Sequence, residues 1–348
     1  MPVIAPDRIR DLTARVFAAA GWTRAEAEEV GRHFMLANAS GHDSHGIGML
    51  PLYMRSYSDG WLKPTNQPRD RSCAGSFLVI EANLALGQPT ARRAVERAAE
   101  IAAQHGVAVL NLLDAHHVGR IGDYAEQAAE LGLISLFWVN VAGRPPIVAA
   151  HGAREGCWGT NPHAVGLPAG DGRHLILDFA TSRMAHGKAR VALNKGAQAP
   201  PGYLIDAEGR PTTDPGVVFP PLPMGALLPF GEHKGAGLAF MVEALSAGLA
   251  GGALIKDKPH RSWIINSMFA VLIDPARIEP DAAVRQARID GIAAFLRAAR
   301  PQDPASPVLA PGDAERAMRE NRTRDGVPID DETWSQIVAA AESVGVEA

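Results

Sequence analysis

The sequence predicts an α/β protein with helices at both ends and alternating strands and helices between them. Residues 7–64 repeat apolar side chains at helical spacing, with Ile9, Leu12, Val16 and Phe17 on one face. From about residue 75 to 300, short β-rich runs alternate with helical segments, and two further helical stretches close the chain.

The first unit contains a well-marked helix. Thr23 and Glu26 have capping-box spacing, apolar and small residues run on to Asn38, and Gly41 stands where a left-handed stop is needed. Pro51 is placed to open a third helix that ends near Gly60. In the middle, Pro89 to His105 reads as a helix stopped by Gly106, followed by a strand from Val107 to Leu110. Asp123 to Leu131 reads as helix, and Ile134 to Val141 and Leu175 to Phe179 as strands. Residues 196–232 are rich in Pro and Gly and read as loop and short strand. Lys234 to Leu249 is apolar or small almost throughout, which predicts a long, largely buried helix. Phe269 to Ile273 reads as strand, Ala282 to Ala299 as helix and Pro301 to Pro311 as linker. Ala314 to Arg324 and Asp330 to Ser343 read as the closing helices.

Composition narrows the function. The 348 residues are 47% hydrophobic and carry a net charge of −4, enough for a large core and without the basic footprint of a nucleic-acid binder. No segment approaches eighteen uninterrupted apolar residues and the amino terminus has no secretory pattern, so neither a membrane span nor secretion is expected. Cys73 and Cys157 are the only cysteines and lack metal-site spacing, which fits a reducing cytoplasm and small-molecule chemistry.

The dinucleotide fingerprint is absent: Gly46-Ile47-Gly48 has Pro51 at the third glycine position, and Gly235-Ala236-Gly237 has Phe240 there. The Walker pattern fails too, since Ala189 follows Lys188. Three loops remain candidates for a nucleotide: Gly159-Thr160-Asn161-Pro162, Asp178-Phe179-Ala180-Thr181-Ser182, and Phe230 to Gly235 with His233 and Lys234. The last leads into a helix start, which favours an anion.

The segment Gly41 to Pro51 places Ser44 and His45 just past a helix end, and Ala115 to Gly122 carries the pair His116-His117. Neither has an HExxH or cysteine frame, so no metal is expected, and the imidazoles read as candidate acid/base groups with an ordinary pKa of about 6.5.

Taken together, DSHGIGMLPLY (43–53), LGQPTA (86–91), HHVGRIGDYAEQAAELG (116–132), GTNP (159–162), DFATS (178–182), GRPTTDP (209–215), LLPFGEHKGAGLA (227–239) and APGDAE (310–315) resemble the non-Rossmann malate/L-lactate dehydrogenase family, over nearly the whole chain. The resemblance implies a helical domain built from residues 1–74 with 306–348 and a nicotinamide-cofactor domain, 75–305, around a large, mostly antiparallel mixed sheet unlike a Rossmann fold. It implies NAD or NADP as cofactor, a 2-oxo or 2-hydroxy carboxylic acid of malate/lactate or aryl-pyruvate type as substrate, and a homodimer. A cyclic imino acid or ureidoglycolate is the alternative substrate within the family. A non-enzymatic small-molecule-binding protein is the alternative outside it.

By position, the resemblance makes His45 the first candidate for proton transfer with Ser44 beside it, and His117 the second. It assigns Gly159 to Pro162, Asp178 to Met184, His233, Lys234, Gly312, Asp313 and Ala314 to the cofactor. Where many relatives carry arginine this chain has Met49, and it has Arg120 where they carry a small residue. Arg120 is therefore expected to hold the substrate carboxylate, with Met49 making the pocket more apolar.

Overall fold

Local sequence signals explain the helix that carries the site. Thr23 accepts from the Glu26 amide while the Glu26 carboxylate returns to the Thr23 amide, closing the capping box. At the far end Gly41 adopts φ +84°, a conformation that glycine takes without the cost a side chain would impose.

The computed structural model describes residues 1–257 and 263–348. The chain runs β1 (Val3–Ile4), α1 (Pro6–Ala19), α2 (Arg24–Ala39), α3 (Leu50–Ser58), β2 (Arg69–Ala74), β3 (Phe77–Glu81), α4 (Gly87–His105), β4 (Val107–His116), α5 (Gly122–Glu130), β5 (Ile134–Val139) and β6 (Val148–Ala149). It continues with β7 (Gly156–Trp158), β8 (His163–Leu167), β9 (Leu175–Phe179), α6 (His186–Asn194), β10 (Leu204–Ile205), β11 (Pro211–Thr212), β12 (Ala226–Leu227) and α7 (His233–Glu243). Last come β13 (Ile265–Ile273), α8 (Ala282–Arg297), α9 (Asp313–Asp325), β14 (Val327–Pro328) and α10 (Asp331–Glu342).

Seven strands form the main sheet in the order β2-β3-β4-β13-β5-β8-β9. Only β3 and β4 pair in parallel; every other neighbour pair is antiparallel, so the sheet is mixed and mostly antiparallel and is not a doubly wound dinucleotide fold. Alternation along β5 and β13 turns Phe137, Val139, Met268, Ala270 and Leu272 into a core shared with α4 and α5. A second sheet, β11-β10-β12-β6-β7, encloses a smaller core around Val148, Leu204 and Leu227.

The two chain ends meet. β1 pairs with β14, and Ile9, Phe17, Phe34 and Tyr53 share a core with Val327, Ile337 and Ala341. Most expected elements are present with shifted ends, and two differ more. β4 extends to His116, six residues beyond the expected Leu110. The segment from Lys234 to Leu249 is α-helical only to Glu243 and continues as a π turn, and it is not largely buried: Phe240, Met241 and Leu249 are exposed.

The helical layer is fixed against the sheet layer through Asp123, at the start of α5. Its carboxylate accepts from Arg32 Nη1 at 3.0 Å and lies 2.8 Å from His33 Nδ1 on α2. His33 Nε2 in turn accepts from the Arg120 amide at 2.8 Å, so His33 is the neutral Nδ1–H tautomer in which both ring nitrogens are used. Glu29, His33 and Asp123 are close enough to suggest a metal site, but the Arg32 guanidinium already lies among their carboxylates. Asp123→Ala should lower the unfolding free energy by about 2 kcal/mol or more, because it strands a buried donor and a half-buried cation. Urea denaturation checks this, and a loss under about 0.5 kcal/mol would contradict it.

Candidate active site

The elements that follow α2 build one wall of a cavity of about 690 Å³, within the size range of ligand pockets. Asn38, on the last turn of α2, sends its Oδ1 to the Ile47 amide at 2.8 Å, and a Cβ on Gly46 would lie 2.0 Å from that oxygen. Asp43 is bound by Asn38 Nδ2 at 2.7 Å and by Arg322 from α9. Asp43 and Gly46 therefore hold the turn, and its side chains that line the cavity are His42, Ser44 and His45. Ser44 Oγ lies 2.9 Å from His45 Nδ1, which fixes the ring's orientation.

The opposite wall comes from the loop after β4. His117 stacks on His45 with ring centroids 5.6 Å apart and planes inclined by 24°. Burial disfavours the charged form of both rings, and nearby guanidiniums add to it, with Arg120 and Arg190 acting on His45 and Arg144 on His117. The His45 pKa is lowered to about 3 and that of His117 falls well below the ordinary value, so both imidazoles are neutral near pH 7.

Other residues singled out from sequence divide into two groups. Met49, Thr160, Pro162, Asp178, Phe179, Ala180 and Ser182 line the same cavity. Asp178 Oδ2 accepts from the Gly122 amide at 2.9 Å, at the positive end of α5. Asn161 is fully buried and structural: its Oδ1 accepts from the Val141 amide and its Nδ2 donates to the Ala239 carbonyl and Glu243. Gly159 lies against Val141, and buried Thr181 donates to the Thr160 carbonyl. The remaining positions lie outside the cavity lining. His233 and Lys234 are exposed at the start of α7. Gly312, Asp313 and Ala314 stand at the start of α9, where Asp313 pairs with Arg297 and Arg316.

Arg120 is not the free cation that was expected. Its side chain is 2% exposed, Nη2 donates to Glu126 at 3.0 Å, and Nε lies 3.6 Å from Asp178. Its charge is already balanced by two carboxylates.

Two arginines that sequence reasoning missed line the same cavity as Arg120 but lack its ion pairs. Arg144, just after Gly143, and Arg190, on α6, both line the cavity and have no ion pair among the described residues. Burial and the nearby Arg190 charge lower the Arg144 pKa to about 10, and burial lowers that of Arg190. Arg144 Nε has no hydrogen-bond partner among the described residues, and its Nη2 lies 3.5 Å from His186 Nδ1. Arg190 Nη2 donates to the Gly48 carbonyl at 3.3 Å, which brings a cation beside Met49. Half-buried guanidiniums without an ion-pair partner are costly, so this cavity suits negative charge. No motif marks these residues, because what distinguishes them is the lack of nearby acids in space.

The residues present also suit an anionic dinucleotide. The first turn of α6 borders the cavity through Ala185, His186, Gly187 and Lys188, and no side chain caps that helix start. A Cβ on Gly187 would lie 2.3 Å from Ser44 Cβ, so glycine lets this turn reach the His45 wall.

Known proteins give the same direction. Residues 4–338 match the malate/L-lactate dehydrogenase family. The chain is 40% identical over 335 residues to hydroxycarboxylate dehydrogenase B of Escherichia coli, covering 95% of this chain and 91% of that protein. Its fold superposes on sulfolactate dehydrogenase from Methanocaldococcus jannaschii with a TM-score of 0.87, 28% identity and coverage of 99% and 98% of the two chains. For the delta1-piperideine-2-carboxylate reductase of Pseudomonas syringae pvar. tomato the TM-score is 0.84, with 29% identity and coverage of 98% and 100%. The chain belongs to the malate/L-lactate dehydrogenase family and is an oxidoreductase.

The buried neutral histidines carry a pH signature. In the unfolded chain an imidazole binds a proton near pH 6.5, whereas in the folded protein His45, His116 and His186 resist protonation down to about 3, chiefly through burial. The unfolded state binds more protons across that interval, so stability is full above about pH 6.5 and declines as pH falls. Urea midpoints should be level between about pH 7 and 8 and drop steadily from about 6.5 towards 4; a flat profile would contradict burial of neutral rings.

Proposed function

We propose that this oxidoreductase interconverts a 2-oxo carboxylic acid and its 2-hydroxy acid in the cavity between His45 and Arg144, using NAD or NADP. The observation that carries this reading is the pairing of two uncompensated guanidiniums with two neutral imidazoles in one cavity. A bound nicotinamide would supply or accept the hydride at the substrate's C2.

The chain's own groups do the rest. Arg144 and Arg190 bind and orient the carboxylate, replacing Arg120 in the role first expected of it, and Arg190 supplies the positive charge that Met49 lacks. A neutral His45 accepts the hydroxyl proton in the oxidising direction. In the reducing direction the substrate's carboxylate offsets the positive field of Arg120 and Arg190 and so favours the protonated ring that donates to the oxygen. The helix start at His186 and the Lys188 ammonium suit the cofactor phosphates.

The same reading divides the chain into residues 1–74 with 306–348 and residues 75–305. The mixed core of the two ends supports that division, except that β2 (Arg69–Ala74) pairs into the main sheet. A homodimer is supported by the exposed Phe240, Met241 and Leu249 on and just after α7. Two unpaired cysteines suit a reducing cytoplasm, and no described helix is long and apolar enough to cross a membrane.

Steady-state kinetics with NADH or NADPH and a panel of 2-oxo acids test the assignment, with a cyclic imino acid as the competing substrate. Arg144→Met should raise KM for the 2-oxo acid about tenfold or more, as expected for loss of a charge-assisted pair. Unchanged KM in Arg144→Met, with a large rise in Arg120→Met, would return the anchor to Arg120. His45→Ala should lower kcat about a hundredfold. Retained turnover would move proton transfer to His117.

A further inference from the structure

Below the cavity floor, Gln88, Tyr53 and His117 form a buried chain that the proposed reaction does not use directly. Gln88 and Tyr53 are both 0% exposed. Gln88 Nε2 donates to Tyr53 Oη at 2.5 Å, and that oxygen lies 2.9 Å from the His117 carbonyl and 3.0 Å from His117 Nδ1. Tyr53 is held by edge-on contacts from Phe34 at 5.4 Å and from His116 at 4.6 Å. Gln88 reaches it because Gly87 lets the start of α4 press against the histidine pair: a Cβ there would lie 2.2 Å from the His116 and His117 carbonyls.

Counting protons decides the arrangement. A phenol has one hydrogen to give. The His117 carbonyl can only accept, so satisfying it uses that hydrogen, and the His117 Nδ1 beside the same oxygen must then be the donor. We propose that Gln88 and Tyr53 are positioning residues that hold His117 as the Nδ1–H tautomer, leaving Nε2 as a hydrogen-bond acceptor for a ligand in the cavity. A neutral ring in that state accepts a hydrogen bond at Nε2 and has no hydrogen to give there, so it orients a bound hydroxyl beside His45. The two stacked imidazoles are thereby made unequal: the His117 tautomer is fixed by a phenol that packing immobilises, while His45 meets only the rotatable hydroxyl of Ser44.

The tautomer assignment follows from hydrogen bonds alone, and its catalytic consequence rests on the reaction proposed above. Ring 15N spectra of histidine-labelled protein near neutral pH test it, with the His117 signals identified as those lost in His117→Asn. The expected result is a protonated Nδ1 and an unprotonated Nε2 in the unaltered protein, and a mixture of both tautomers in Tyr53→Phe. Gln88→Leu should shift His117 in the same sense. For 2-hydroxy acid oxidation, Tyr53→Phe should lower kcat about tenfold with KM changed less than about twofold, the size usual for loss of an orienting partner. A His117 ring protonated at Nε2 in the unaltered protein overturns the proposal even if neither Tyr53→Phe nor Gln88→Leu folds. So does a Tyr53→Phe spectrum identical to the parent's. If no 2-oxo or 2-hydroxy acid is turned over, the functional reading fails, while the spectra still decide the tautomer.

Discussion

The contact on which the site depends is the one between α2 and the loop after β4, made through Asp123. One carboxylate holds Arg32 and His33 on α2, and His33 holds the Arg120 amide on the loop. This fixes the distance between two segments that each contribute an imidazole to the cavity. Without it, His45 would be positioned by the helical layer and His117 by the sheet, with only side-chain stacking to relate them. Full use of both His33 nitrogens makes the joint rigid, since either nitrogen left bare in that interior would cost a desolvated polar group.

Charge is organised around the same joint. Arg120 lies close to it and is neutralised by Glu126 and Asp178, and Glu126 also takes Arg319 from α9. Acids are thus concentrated on the structural side of the cavity. Across it, Arg144 and Arg190 face inward with no ion pair among the described residues, Asp330 acting on Arg190 only through its field, and the two guanidiniums help keep His117 and His45 respectively neutral. An entering carboxylate or phosphate relieves both effects at once, which couples anion binding to the proton affinity of the catalytic rings.

Much of this was legible in the sequence where the signal is local. The Thr23–Glu26 capping box, the stop at Gly41 and the left-handed end at Gly106 are set by neighbours within a few residues. The edge strand β2 escaped notice because its residues Arg69 to Ala74 are all exposed and show no alternation. β4 looked shorter than it is because Asn111, Asp114 and His116 interrupt its apolar run: Asn111 donates to the Ser246 carbonyl, Asp114 accepts from the Ala253 amide, and His116 packs its ring edge-on against Tyr53. Within the site, His45, Ser44, His117 and Asp178 stand out by motif and meet in space. Arg144 and Arg190 could not be found that way. Arg120, conspicuous in its motif, proved to be balanced by Asp178, which is far from it in sequence.

A crystal structure of the protein with NAD(H) or NADP(H) and oxamate, an unreactive 2-oxo acid analogue, tests the central claim most directly. The predicted result is the oxamate carboxylate bound by Arg144 and Arg190, with its oxo oxygen about 3 Å from the Nε2 of His45. Oxamate paired with Arg120 instead, or both ligands bound away from the two imidazoles, would contradict it.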